Sequence, residues 1–147
     1  MRELPRQLSA DELAELFEGR SVLVEQLAAV EDPLGRARGL AARLSPAEQK
    51  ELLDAHPRIG VKDGLSTRSA AEQGTDDDPA VLAELAELNR VYEERFGFRF
   101  VVFVNRRPRR EILPILRERL HRTRELELAT GVDELVQIAI DRWQQTS

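Results

Sequence analysis

A chain of 147 residues, 41% hydrophobic but only 5% aromatic, is long enough to bury a core, and its Leu, Ala, Glu and Arg favour helices over sheet. Its net charge of −5 argues against a nucleic-acid partner, and the absence of cysteine excludes disulfides, thiolate nucleophiles and cysteine-ligated zinc. No apolar run approaches the roughly 18 residues of a membrane span and no signal-peptide core opens the chain, so one cytoplasmic domain over residues 1–147 is the expectation.

Ser9-Ala10-Asp11-Glu12 is a capping box: the Ser9 hydroxyl accepts from the Glu12 amide and the Glu12 carboxylate accepts from the Ser9 amide. Leu13, Leu16 and Phe17 follow at helical spacing, and Gly19 ends the run. Ser21 starts a second short helix carrying Val22, Leu23, Leu27 and Val30. Asp32-Pro33 supplies the N-cap and first position of a third, whose stripe is Ala37, Leu40, Ala41 and Leu44. Ser45-Pro46-Ala47-Glu48 is a second capping box, opening a fourth helix with Leu52 and Leu53 facing inward. Ser66 caps a short helical segment over 67–73. Asp78-Pro79 then opens the longest clear helix, expected at the centre of the core, with Val81, Leu82, Leu85, Leu88, Val91 and Tyr92 in register until Phe96-Gly97.

Phe98 to Val104 is the one β-like run. Lacking a partner strand, it reads as a buried extended segment threading a helical core, or as the start of a helix. Glu111 to His121 is amphipathic, with Pro114 in its first turn or kinking it. Thr123 opens a last long helix to about Gln145; its stripe is Leu128, Val132, Leu135, Ile138 and Ala139, and Gly131 weakens its middle. Seven or eight helices make the fold all-α.

Chemistry-bearing residues are few on this scaffold. His56, one of two histidines, sits in the loop Ala55-His56-Pro57-Arg58-Ile59-Gly60; Pro57 pushes it out of the helical region and Gly60 frees the chain to turn away. A titratable ring on a stiff loop is a candidate acid–base group, although a lone histidine also serves as packing or a cap. His121, among Arg119, Arg122 and Arg124, reads as a surface residue. Ser69, Glu72 and Gln73 fall on one helical turn, either a solvated face or a polar patch opposite His56. Asn105-Arg106-Arg107-Pro108-Arg109-Arg110 is a solvated cationic loop or an anion clamp, since guanidinium groups grip carboxylates through two hydrogen bonds. Gly60-Val61-Lys62-Asp63-Gly64 lacks the spacing of a phosphate loop.

Four blocks, His56-Pro57-Arg58-Ile59-Gly60, Ser69-Ala70-Ala71-Glu72-Gln73, Leu88-Asn89-x-x-Tyr92 and Phe96-Gly97-Phe98-x-Phe100-Val101, stand in an order and at a spacing that resemble the OHCU decarboxylase family, from about Ser9 to Trp143. Members convert 2-oxo-4-hydroxy-4-carboxy-5-ureidoimidazoline to (S)-allantoin in the oxidation of uric acid. The resemblance implies an all-helical, usually dimeric enzyme of a small-molecule substrate, with no cofactor and no metal. It makes His56 and Glu72 the catalytic pair and puts Pro57, Ser69, Gln73 and Phe100 around the substrate. The family also uses an arginine just after the Phe-Gly-Phe-x-Phe-Val segment. Where some members carry it this chain has Asn105; others carry it two residues later, so Arg107 is the expected substrate ligand and Arg106 the fallback, with Arg109 and Arg110 solvated. A lyase acting on another ureido or imidazoline acid, and a non-catalytic helical module binding a small anion, are the alternatives.

Overall fold

The computed structural model describes residues 3–59 and 78–145. Within them lie seven helices and no strand: α1 (Ala10–Leu16), α2 (Val22–Ala28), α3 (Pro33–Ala42), α4 (Pro46–Ala55), α5 (Pro79–Phe96), α6 (Arg109–Arg119) and α7 (Arg124–Gln145). The protein is all-α, as expected. No described helix is long and apolar enough to cross a membrane. The short helix expected over 67–73 lies outside the described residues.

Both capping boxes form. Ser9 Oγ accepts from the Glu12 amide at 3.1 Å and Glu12 Oε1 from the Ser9 amide at 3.0 Å, and Ser45 and Glu48 repeat the pattern at 3.2 and 2.9 Å. Asp32 is the exception. It takes a left-handed φ of 51° and makes no side-chain cap bond; its carboxylate instead lies over Gly35, where an added Cβ would meet Oδ2 at 2.3 Å. Helix α6 begins at Arg109, two residues earlier than expected, so Pro114 is internal rather than in the first turn. Arg109 then shares a face with Ile112, Leu113 and Leu116, and is buried at 6% exposure rather than solvated.

The expected central helix, α5, packs chiefly on α6; α7 is the hub, in contact with α1, α3 and α4. Its buried positions come in adjacent pairs (127/128, 131/132, 135/136, 138/139 and 141/142), giving a face wide enough for several neighbours. Gly131 has a packing role there. A Cβ at this position would meet the methyl carbons of the fully buried Leu53 at 3.1 and 3.2 Å, so glycine lets α4 lie close against α7, three residues before His56. Gly131→Leu is therefore expected to destabilise by about 1–3 kcal/mol through overpacking, despite a gain of about 1 kcal/mol in helix propensity. Urea denaturation checks this, and a variant as stable as the wild type would refute the close approach.

Residues 98–104 form neither helix nor strand and are mostly buried, so their backbone polar groups must find partners elsewhere. Side chains supply them. The Arg99 amide donates to Asp54 Oδ1 (3.0 Å), Arg119 Nη1 donates to the Val101 carbonyl (2.8 Å), and the Phe103 amide donates to Glu134 Oε1 (3.4 Å). Arg107 donates through Nη2 to the Phe103 carbonyl (2.7 Å) and through Nε to that of Val104 (2.8 Å). Burial outweighs the Phe103 hydrogen bond and raises the Glu134 carboxyl above its usual range.

Beneath the segment, Tyr92 packs edge-on to Phe98 and Phe100, with centroids at 6.0 and 5.2 Å. Its hydroxyl donates to Glu127 Oε1 at 2.7 Å, an atom that also accepts from Arg119 Nε at 2.7 Å. The Arg119 guanidinium lies over Phe100, 4.6 Å from the ring centroid. Tyr92 is thus a core residue, and its phenol is pushed well above the ordinary tyrosine range, by burial first.

Candidate active site

Helix α4 stops at Ala55 because Pro57 forbids its continuation, and His56 takes the extended φ of −81° and ψ of 137° while its amide still donates to the Leu53 carbonyl at 3.2 Å. The loop that follows is tied down from both sides. Toward the segment 98–104, Arg99 Nη1 donates to the His56 carbonyl (3.0 Å) while Asp54, two residues back, holds the Arg99 amide. Toward α5, Arg58 grips Glu93 through two bonds (2.7 and 2.9 Å), and Asn89 Nδ2 donates to the Ile59 carbonyl (3.1 Å). The imidazole is carried on a rigid strap.

The ring is half-buried and deep among protein atoms, and its nitrogens have no hydrogen-bond partner among the described residues. Its pKa is lowered from 6.5 to about 4: desolvation is the main cause, the Arg142 and Arg99 charges add to it, and Glu18 opposes them. At neutral pH His56 is a neutral imidazole, able to accept a proton. Arg142, 2% exposed on α7, is held by Glu18 (3.0 Å) and by the Leu16 carbonyl (2.9 Å). Glu18 reaches it from a left-handed φ of 62°, a costly conformation for a residue with a Cβ. One desolvated ring, two guanidinium groups and one carboxylate thus form an environment that favours an anionic ligand. Among the described residues no group of three or more His, Asp or Glu side chains could hold a metal ion.

The other expected site residues divide three ways. Ser69, Glu72 and Gln73 lie outside the described residues. Phe100 is 2% exposed and packed on Tyr92 and Arg119, in the core with Phe98, while Arg99 between them bonds the His56 loop. Asn105 and Arg106 form a turn with successive left-handed φ values of 50° and 61°, which suits asparagine at 105 better than the arginine of other members. Arg106 reaches the buried Asp141 at 3.5 Å, and Arg107 holds the carbonyls of its own turn. No hydrogen bond or ion pair among the described residues joins either arginine to His56. His121 is exposed, as expected. Sequence reasoning passed over Glu18, Arg99 and Arg142; the available signal was Arg142 standing on the apolar stripe that runs through Leu135 and Ile138.

The fold and site define an all-helical protein with a half-buried imidazole on a strapped loop, under the charges of two arginines. A model of the OHCU decarboxylase family matches residues 2–144, and the chain belongs to that family. The chain is 28% identical over 149 residues to the uric acid degradation bifunctional protein PucL of Bacillus subtilis, covering 95% of this chain but 30% of that protein. Against the 2-oxo-4-hydroxy-4-carboxy-5-ureidoimidazoline decarboxylase of Haloferax volcanii it is 32% identical over 99 residues, covering 65% of this chain and 59% of the relative. A crystal structure of OHCU decarboxylase in the presence of (S)-allantoin superposes with a TM-score of 0.75 at 25% identity, covering 90% of this chain and 94% of that one. The chain thus spans under a third of the bifunctional PucL protein and about three fifths of the Haloferax enzyme.

Proposed function

We propose that this protein decarboxylates 2-oxo-4-hydroxy-4-carboxy-5-ureidoimidazoline to (S)-allantoin, as a cytoplasmic homodimer. The observation that carries the reading is His56, neutral and carried on a loop whose carbonyl Arg99 holds, with the Arg142 charge acting on the ring, supported by family membership. When CO₂ leaves, its bonding electron pair passes into the conjugated ureido-imidazoline ring, so the chemistry asks for proton movement. One proton leaves the hydroxyl and one is delivered to a single face of the ring carbon that bears the ureido group. His56 and Glu72 divide that work, while Pro57, Ser69 and Gln73 shape the pocket. A closed polar pocket also excludes the water that would let the ring react slowly and without stereocontrol. Glu72→Ala is expected to lower kcat by roughly 10²–10⁴-fold with little loss of stability.

The pH profile tests the assignment of His56. In the free enzyme the imidazole protonates only near pH 4, so kcat/KM should hold level from neutrality down toward that value before falling. A bound carboxylate favours imidazolium and raises the pKa, so the acidic limb of kcat should lie at higher pH than that of kcat/KM. Coincident limbs near 6.5, the ordinary histidine value, would contradict a desolvated His56.

Arg107 is the proposed ligand for substrate oxygens on which charge accumulates as CO₂ departs. With Nε and Nη2 fixed on backbone carbonyls, Nη1 is presented in a set orientation that a lysine cannot reproduce. Arg107→Lys should therefore be nearly as damaging to kcat/KM as Arg107→Ala. Wild-type kinetics in both variants would remove Arg107 from the site, and loss confined to Arg106→Ala would move the role one residue back.

A further inference from the structure

The buried face of α5 runs through Val81, Leu85, Asn89, Tyr92 and Phe96, and Asn89 interrupts it with an amide only 4% exposed. A leucine would fill such a position without desolvating a polar group, so the amide needs a compensating partner. It has one: Nδ2 donates to the Ile59 carbonyl at 3.1 Å, and Ile59 itself is 5% exposed. That bond fixes which way the amide faces, because a carbonyl must be met by a donor, and it leaves Oδ1 buried with no partner among the described residues. Accepting an unsatisfied oxygen for one hydrogen bond marks the bond to Ile59 as the purpose of the residue. One turn further along α5, Glu93 holds Arg58 through two bonds, so a single helix grips two consecutive residues of the loop. Arg99 holds the other end at the His56 carbonyl.

We propose that Asn89 is a positioning residue, whose side-chain amide anchors the Ile59 carbonyl and thereby fixes the loop that carries the His56 imidazole. This deepens the reading of His56 as the acid–base group and rests on it. Without the anchor the strap between Pro57 and Ile59 gains freedom, the half-buried ring becomes more hydrated, and the near-attack geometry is lost. A misplacement of about 1 Å can cost about 100-fold in rate.

The test uses Asn89→Leu, which removes the donor at similar volume, and Asn89→Asp, which turns an acceptor toward the Ile59 carbonyl. Arg90→Ala, on the exposed side of the same helix, is the control. The chain has two histidines, so imidazole NMR titration of the free protein reports His56 directly, with His121→Gln for assignment. In either folded Asn89 variant the His56 midpoint should climb from about 4 toward 6.5, and kcat should fall by about ten- to a hundredfold with KM little changed. Arg90→Ala should alter neither. An unmoved His56 titration in a folded Asn89 variant overturns the proposal, even if kcat falls, because the loss is then general rather than transmitted through the ring. A wild-type protein that fails to decarboxylate the ureidoimidazoline, while the titration still shifts in the variants, would defeat the proposed reaction and leave the anchor standing.

Discussion

His56→Gln is expected to lower kcat by roughly 10²–10⁴-fold while leaving stability at neutral pH unchanged. Stability at neutral pH is untouched because the imidazole is uncharged there in both the folded and the unfolded chain. Folding lowers the imidazole from 6.5 to about 4, so between those values the unfolded chain binds a proton that the folded protein does not. Stability is therefore complete above pH 6.5 and is lost as the pH falls toward 4, by at most about 3 kcal/mol. Glutamine cannot titrate, so His56→Gln should equal the wild type at pH 7 and be the more stable protein near pH 4.5. Thermal melts of both proteins across that range check it. A large fall in melting temperature at pH 7, with activity per folded molecule intact, would make His56 a structural residue.

Arg119→Ala is expected to have the largest effect on stability, about 3–5 kcal/mol. The Arg119 and Glu127 side chains are 4% and 0% exposed and 2.7 Å apart. Truncating the arginine strands the Glu127 carboxylate with only the Tyr92 hydroxyl at 2.7 Å and Arg122 at 3.8 Å, and it strands the Val101 carbonyl as well. It also strips the guanidinium from the face of Phe100. For a domain whose whole stability is of order 5–15 kcal/mol, that is a large share. The double variant Arg119→Met with Glu127→Leu should be less destabilised than Arg119→Ala, because it removes both charges from the low-dielectric interior. Urea denaturation of the three proteins decides the matter; a cost below about 1 kcal/mol for Arg119→Ala would mean that the pair is effectively solvated.

Local signals in the sequence carried well, because they act within a few residues. Ser9 with Glu12 and Ser45 with Glu48 specify helix starts by chemistry that needs no tertiary context. The run from Phe98 to Val104 read either as a buried threaded segment or as the start of a helix, and it is buried without forming one. Non-local features were not legible. That α7 rather than α5 is the hub depends on which neighbours close on it, and Gly131 looks like a weakness until Leu53 is seen against it. Arg109 reads as one more charge in a basic loop; only a helix start two residues earlier turns it onto the buried face.

The site divides in the same way. His56 and Pro57 announce themselves as a rigid exit from a helix. The groups that set the ring's electrostatics come from far away: Arg142 bonds the Leu16 carbonyl from the other end of the chain. Asn89, Arg119 and Arg142 nevertheless share a readable mark, a polar residue standing where the apolar stripe of its helix should continue. Burial of that kind requires a partner, and here the partners are the His56 loop, the segment 98–104 and the first helix. The left-handed turn at Asn105 and Arg106 gives the departure from the commoner arginine a local backbone reason, so asparagine there need not signal a change of substrate.

As a decarboxylase of this substrate, the protein should both accelerate loss of CO₂ and control the face on which the new C–H bond forms. Purified protein mixed with freshly generated 2-oxo-4-hydroxy-4-carboxy-5-ureidoimidazoline and followed by circular dichroism reads both at once. The (S)-allantoin signal should grow rapidly, in proportion to enzyme concentration, and His56→Gln should abolish that growth. Decay at the uncatalysed rate to racemic allantoin, with or without the protein, would contradict it.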